Sequence, residues 1–149
     1  MTRKHIHEEE FGISSDEMFH LLITPSKIRD WWGAARVIVL PEENGTWMAA
    51  WGENEDNPDY ITAFTISAFE PPNRLLFTDA KYTASGEKLP FEAEMITEFA
   101  IKDNEIGCVL KVNQEGFPSD SSADEYFEGC KKGWTDTFAG IRKSIGTSL

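Results

Sequence analysis

Residues Ser122–Ile145, SADEYFEGCKKGWTDTFAGIRKSI, carry apolar side chains at spacings of three and four. Phe127, Cys130, Trp134, Phe138, Ile141 and Ile145 make a single stripe about five helical turns long, the pattern of an amphipathic helix laid on a core. Ser122 with Glu125 predicts a capping box at its start. Asp124, Glu125 and Glu128 near the beginning, with Arg142 and Lys143 near the end, complement the helix dipole. Gly129, Gly133 and Gly140 each cost about 1 kcal/mol relative to alanine in a helix interior. Close backbone approach is the expected reason for all three, and a sheet curling around the helix would supply it.

Upstream, Arg36 to Gln114 is a series of short β-rich runs divided by turns. ARVIVL ends at Pro41, and Glu43-Asn44-Gly45 leads into TWMAAW with an Asn-Gly hairpin signal. YITAFTISAF stops at Pro71-Pro72, and NRLLFTDAKY breaks at Ser85-Gly86. In EAEMITEFAI strict alternation puts Ala93, Met95, Thr97, Phe99 and Ile101 on one face and Glu92, Glu94 and Glu98 on the other. GCVLKVNQ puts Cys108, Leu110, Val112 and Gln114 on one face. Consecutive strands on short turns imply an antiparallel meander.

Before these runs a polar, strand-like start ends at Phe11, and Ser14 with Glu17 predicts a capped helix. Thr24-Pro25 restarts it, Thr24 as the cap and Pro25 at the first helical position, until Trp31-Trp32 meets Gly33. The predicted fold class is α+β. A curved antiparallel sheet of about six or seven strands wraps a long C-terminal helix, with two short helices after the first strand. One domain is expected over residues 1–149.

The 14 basic and 26 acidic residues leave a net charge of −12, which repels nucleic-acid backbones and anionic membranes. Neither nucleic-acid binding nor membrane insertion is expected. No stretch resembles a secretory signal or a span, so a cytoplasmic location is expected, with Cys108 and Cys130 as reduced, buried thiols. His5, His7 and Glu9 alternate on one strand face, yet further metal ligands are lacking and a solvated edge is expected there. No metal and no cofactor are implied. The sequence leaves a homodimer open and marks no interface for one.

The segments ITPSKIRDWW, FEPPNRLLFT, GCVLKVNQEGFP and GCKKGWTDTFAGIRKSI, in that order, resemble the SRPBCC or START-like helix-grip superfamily, in the branch related to the activator of the heat-shock protein 90 ATPase. The resemblance covers nearly the whole chain. It implies a long terminal helix gripped by a curved antiparallel sheet around a deep, mainly apolar cavity. Superfamily relatives bind lipids, sterols, plant hormones and polyketides there, and some are cyclases or hydroxylase components. The branch takes its name from a two-domain co-chaperone, whose carboxy-terminal domain this chain resembles.

Aromatic residues are 12% of the chain, and many fall on faces expected to point inward. Candidate ligand-lining residues are Trp31, Trp32, Trp47, Trp51, Phe64, Phe77, Met95, Phe99, Leu110, Val112, Trp134, Phe138 and Ile141. Gln114 and Asp79 are the polar candidates for orienting a ligand hydroxyl or carbonyl. Ala63 and Ala93 are taken to face the same gap, and the loop Gly86–Pro90 to help cover it. No catalytic constellation is legible. The leading expectation is a protein that binds a small hydrophobic molecule, lipid-like or aromatic. The alternative is a regulator of a heat-shock protein 90 type chaperone, and the third is a cyclase- or hydrolase-like enzyme using Asp79, Glu98 or Gln114.

Overall fold

Strand β1 (Thr2–Phe11) leads into two short helices, α1 (Ser15–Ile23) and α2 (Pro25–Trp32), in a computed structural model that describes residues 2–147. At the start of α1 the Ser14 hydroxyl oxygen accepts the Glu17 N–H at 3.2 Å. The capping box closes differently from expectation: the Glu17 carboxylate accepts from the Ser14 hydroxyl, at 3.3 Å, rather than from the Ser14 amide. Pro25 opens α2 as expected, but the Thr24 hydroxyl turns to the His20 ring at 3.2 Å and makes no cap. Gly33, at φ 73°, ends α2 in the left-handed region where glycine has no Cβ penalty.

The sheet follows as β2 (Arg36–Val39), β3 (Thr46–Trp51), β4 (Tyr60–Glu70), β5 (Arg74–Ala84), β6 (Glu87–Lys88), β7 (Ile96–Asp103) and β8 (Cys108–Pro118). All pairings are antiparallel, in the order β1-β8-β7-β5-β4-β3-β2, with the short β6 added to β5. Two register shifts between β4 and β5 and one between β1 and β8 bend the strands, because a bulge lengthens one side of a pair. The predicted curved sheet is thus present. Strand β7 begins at Ile96, later than the alternation from Ala93 suggests.

Helix α3 (Asp124–Thr147) crosses the concave face after a tight 3-10 turn, Ser121–Ala123. That turn moves the cap upstream. The Asp120 carboxylate accepts the Ser122 N–H at 2.9 Å, so the expected box between Ser122 and Glu125 gives way to an Asp120 cap. Arg142 lies before the last turn and serves β1 instead, donating to Glu10 O at 3.0 Å and lying 4.7 Å from the Phe11 ring centre.

Two apolar clusters hold α3 down. The larger contains Met18, Leu22, Ile28, Leu110, Val112, Phe138 and Ile141, and the smaller joins Phe127 to Met95 and Phe117. Close approach explains only one of the three helix glycines. A Cβ at Gly140 would stand 2.2 Å from Trp31 O, whereas at Gly129 and Gly133 it would meet nothing within 4 Å.

The solvated edge expected for the first strand is corrected too. His5, His7 and Phe11 point beneath α3, and His5 is only 8% exposed. Its Nδ1 lies 2.8 Å from His7 Nε2, and its ring sits 5.1 Å from both Phe117 and Phe127. Burial, and then the His7 ring, lower its pKa from 6.5 to about 4.

Two outcomes follow from this packing. Gly140→Ala is expected to lose about 1–3 kcal/mol through overpacking, while Gly133→Ala gains about 1 kcal/mol of helix propensity; chemical denaturation of both variants checks the opposite signs. Because the unfolded chain takes up the His5 proton first, stability falls as pH drops from 6.5 toward about 4. His5→Phe should flatten that part of the stability curve, and an identical slope in the variant would assign the loss to other groups.

Candidate functional site

Between α3 and the concave sheet lies a cavity of about 550 Å³. It falls within the roughly 300–1,000 Å³ typical of small-molecule pockets. The end of α2 contributes Trp31 and Trp32, β3 contributes Trp47 and Trp51, and β4 and β5 contribute Phe64 and Phe77. Phe99 from β7 and Trp134 from α3 face them. The rings interlock: Phe64 stacks on Phe77 at 5.1 Å, Trp32 meets Trp51 edge-on at 4.7 Å, and Phe99 meets Trp134 edge-on at 5.6 Å.

Every indole N–H is bonded inside the protein. Trp31 donates to Leu21 O and Trp47 to Leu22 O, each at 2.8 Å. Trp51 donates to Trp32 O at 3.4 Å, Trp32 to the Thr137 hydroxyl at 3.1 Å and Trp134 to Gln114 Oε1 at 2.8 Å. The indoles therefore give the cavity carbon surfaces.

On the sheet side polar groups interrupt the rings in two places. Thr62 and Tyr82 face each other across β4 and β5, and Thr97 and Gln114 across β7 and β8. The mouth opens near Leu89, Pro90 and the exposed Ser122 and Glu125. Among the described residues Glu125 is the sole charged side chain of the lining. Tyr126 and Cys130 line the helix side; burial raises both pKa values, that of Cys130 to about 11.

Of the sequence candidates, Trp31, Trp32, Trp47, Trp51, Phe64, Phe77, Phe99, Gln114 and Trp134 line this cavity. Leu110, Val112, Phe138 and Ile141 are instead packed in the main core, and Met95 in the smaller cluster. Asp79 is corrected by a bulge. Ala63 pairs with Lys81 but Thr65 with Thr78, so strand parity resets between them. Asp79, at φ 52°, is turned to solvent, and Tyr82 takes the inward place. Ala63 lies on the face opposite Thr62 and Phe64, and Ala93 packs on the smaller cluster, so neither borders the cavity. Glu98 receives Arg74 Nε at 2.7 Å on the outer face. Gly129 and Gly133, unexplained by close approach, border the cavity. Strand parity already put Thr97 on the inner face; Tyr82 was missed because a bulge precedes it, whereas Tyr126 lies one helical turn before Cys130 in α3, a spacing that could have found it. Among the described residues no group of three or more His, Cys, Asp or Glu side chains is placed to hold a metal ion. Among the described residues no helix is long and apolar enough to cross a membrane.

The sequence profile of a family described as activator of Hsp90 ATPase homolog 1-like protein matches residues 13–146. No curated protein matches the sequence. Among solved structures, a protein from Mesorhizobium loti superposes with a TM-score of 0.78 at 17% identity, covering 99% of this chain and 99% of that one. A protein of unknown function from Staphylococcus aureus gives 0.77 at 11% identity, covering 99% and 96%. One from Nitrosomonas europaea gives 0.76 at 13% identity, covering 97% and 95%. At such identities the likeness is one of fold.

Burial also raises the pKa of Cys108 to about 11. At pH 8 a thiol of that pKa is ionised to roughly one part in a thousand. Iodoacetamide should therefore label Cys130 far more slowly than free cysteine, and Cys108 only after unfolding, as read by mass spectrometry. Labelling of either at the free-cysteine rate in the native protein would contradict this burial.

Proposed function

The chain belongs to the activator of Hsp90 ATPase homolog 1-like family, and within it we propose that this protein binds a small hydrophobic molecule between α3 and the sheet. The carrying observation is a cavity of about 550 Å³ walled by rings whose indole N–H groups are all bonded elsewhere. Such walls favour ligands by burying apolar area, which contributes roughly 25 cal/mol per Å² before the costs of association. Gly129 and Gly133 support the reading, because they forgo helix propensity at positions that border the space.

Regulation of a heat-shock protein 90 type ATPase is a second reading, favoured by the family description. It makes no use of the cavity. The two readings separate in one variant, Gly133→Phe, whose ring grows into space where a Cβ meets nothing within 4 Å.

Nile red, a neutral dye that brightens in apolar sites, is expected to bind the wild type saturably and raise its melting temperature. Gly133→Phe should weaken that binding by about tenfold or more, some 1.4 kcal/mol, while remaining folded by circular dichroism. Undiminished dye affinity in the folded variant would overturn the cavity reading. Stimulation of a chaperone ATPase equally by wild type and Gly133→Phe would favour the second.

A further inference from the structure

Gln114 has one side of its amide engaged and the other open. An indole N–H only donates, so the atom receiving Trp134 Nε1 at 2.8 Å is the Gln114 carbonyl oxygen. This fixes the amide orientation and leaves its NH2 group on the opposite side. Among the described residues that NH2 has no hydrogen-bond partner, although Gln114 is only 7% exposed and borders the cavity. Thr97, its register partner on β7, is 3% exposed and borders the same cavity, and its hydroxyl likewise has no partner among the described residues. Side chains directly opposite on antiparallel strands stand about 5 Å apart at Cβ, so one ligand atom can meet both.

The chemistry of these groups selects the ligand. The Gln114 oxygen is turned to Trp134, so the other side of the amide offers only N–H donors. A ligand hydroxyl could accept from Gln114 and donate to the Thr97 oxygen, but the Thr97 proton would then be left without an acceptor. A carbonyl oxygen brings two lone pairs and no proton, so it accepts from the Gln114 amide and the Thr97 hydroxyl together. Charge narrows the choice further. Among the described residues no Lys, Arg or His lines the cavity, and Glu125 at its mouth is acidic. A carboxylate ligand would thus enter without a counter-ion, past a like charge, into a protein of net charge −12.

We propose that the cavity selects neutral ring-containing molecules bearing a carbonyl group, whose oxygen accepts hydrogen bonds from Gln114 and Thr97. The proposal rests on the binding reading above and adds the ligand class and its orientation. Trp134 acts as the positioning residue, holding the amide with its donor side toward the cavity.

Fluorenone and fluorene test it, being one ring skeleton with and without a ketone, together with fluorene-9-carboxylate as the anion. Affinities come from quenching of the intrinsic tryptophan fluorescence. Wild type is expected to prefer fluorenone over fluorene by about tenfold, with the carboxylate weakest. Thr97→Val, which keeps the side-chain shape, and Gln114→Leu should each draw the fluorenone-to-fluorene ratio toward one. If Gln114→Leu misfolds, Thr97→Val alone decides. Equal affinity for fluorenone and fluorene in wild type overturns the anchor while leaving the cavity reading standing. A preference for the carboxylate, or a ketone preference untouched in folded Thr97→Val and Gln114→Leu, also overturns it. Binding of neither neutral compound overturns the cavity reading and the anchor with it.

Discussion

A buried indole N–H needs an acceptor, and the last carbonyls of a helix need donors; in this protein each need meets the other. Leu21 and Leu22 lie in the final turn of α1, where no later helical amide reaches their oxygens, and they receive Trp31 and Trp47. Trp32, the last residue of α2, receives Trp51. Trp32 and Trp134 then tie α2 to α3 and α3 to β8 through Thr137 and Gln114. The bonds join three helices and two strands around one space. Because each uses the only polar atom of its ring, the walls stay apolar without leaving a buried donor unpaired.

Interiors close up around empty space unless something holds them apart. Helix α3 rests on Phe127 toward one end and on Phe138 and Ile141 toward the other, each in its own packed cluster. Gly129 and Gly133 lie at and beyond the first support, with no side chain to fill the gap below, and Gly140 presses against Trp31 O at the second. The same residue type therefore does opposite things along one helix. At Gly140 the missing Cβ permits contact, and at Gly133 it leaves room.

Periodicity made the layers legible. The stripe from Phe127 to Ile145, the alternation in β7 and β8, the cap at Ser14 and the proline opening α2 are local signals, and each produced the element expected of it. Face is a local property, but height along the sheet is not. Leu110 and Gln114 share a face of β8, yet only Gln114 borders the cavity, because Leu110 lies in the core cluster with Met18 and Leu22 of α1. Asp79 failed for a different reason. A bulge resets strand parity, and its signal is a pairing with β4, not a pattern within β5. His5 failed because a charged terminal strand resembles a solvated edge until α3 is seen to cover it.

Aromatic walls accept many molecules, since burying a ring against rings depends on area and shape more than on chemical identity. A shared fold at 11–17% identity leaves that generality untouched. Discrimination must come from the few polar atoms that the architecture does not consume. The indoles consume theirs, the acidic charge is carried outside, and the cavity holds no cation to recognise an anion. What is left is a small set of hydroxyls and one oriented amide. Its orientation is imposed from α3 by Trp134, so the same bond that helps fasten the helix to β8 also decides which side of the Gln114 amide is held away from the indole.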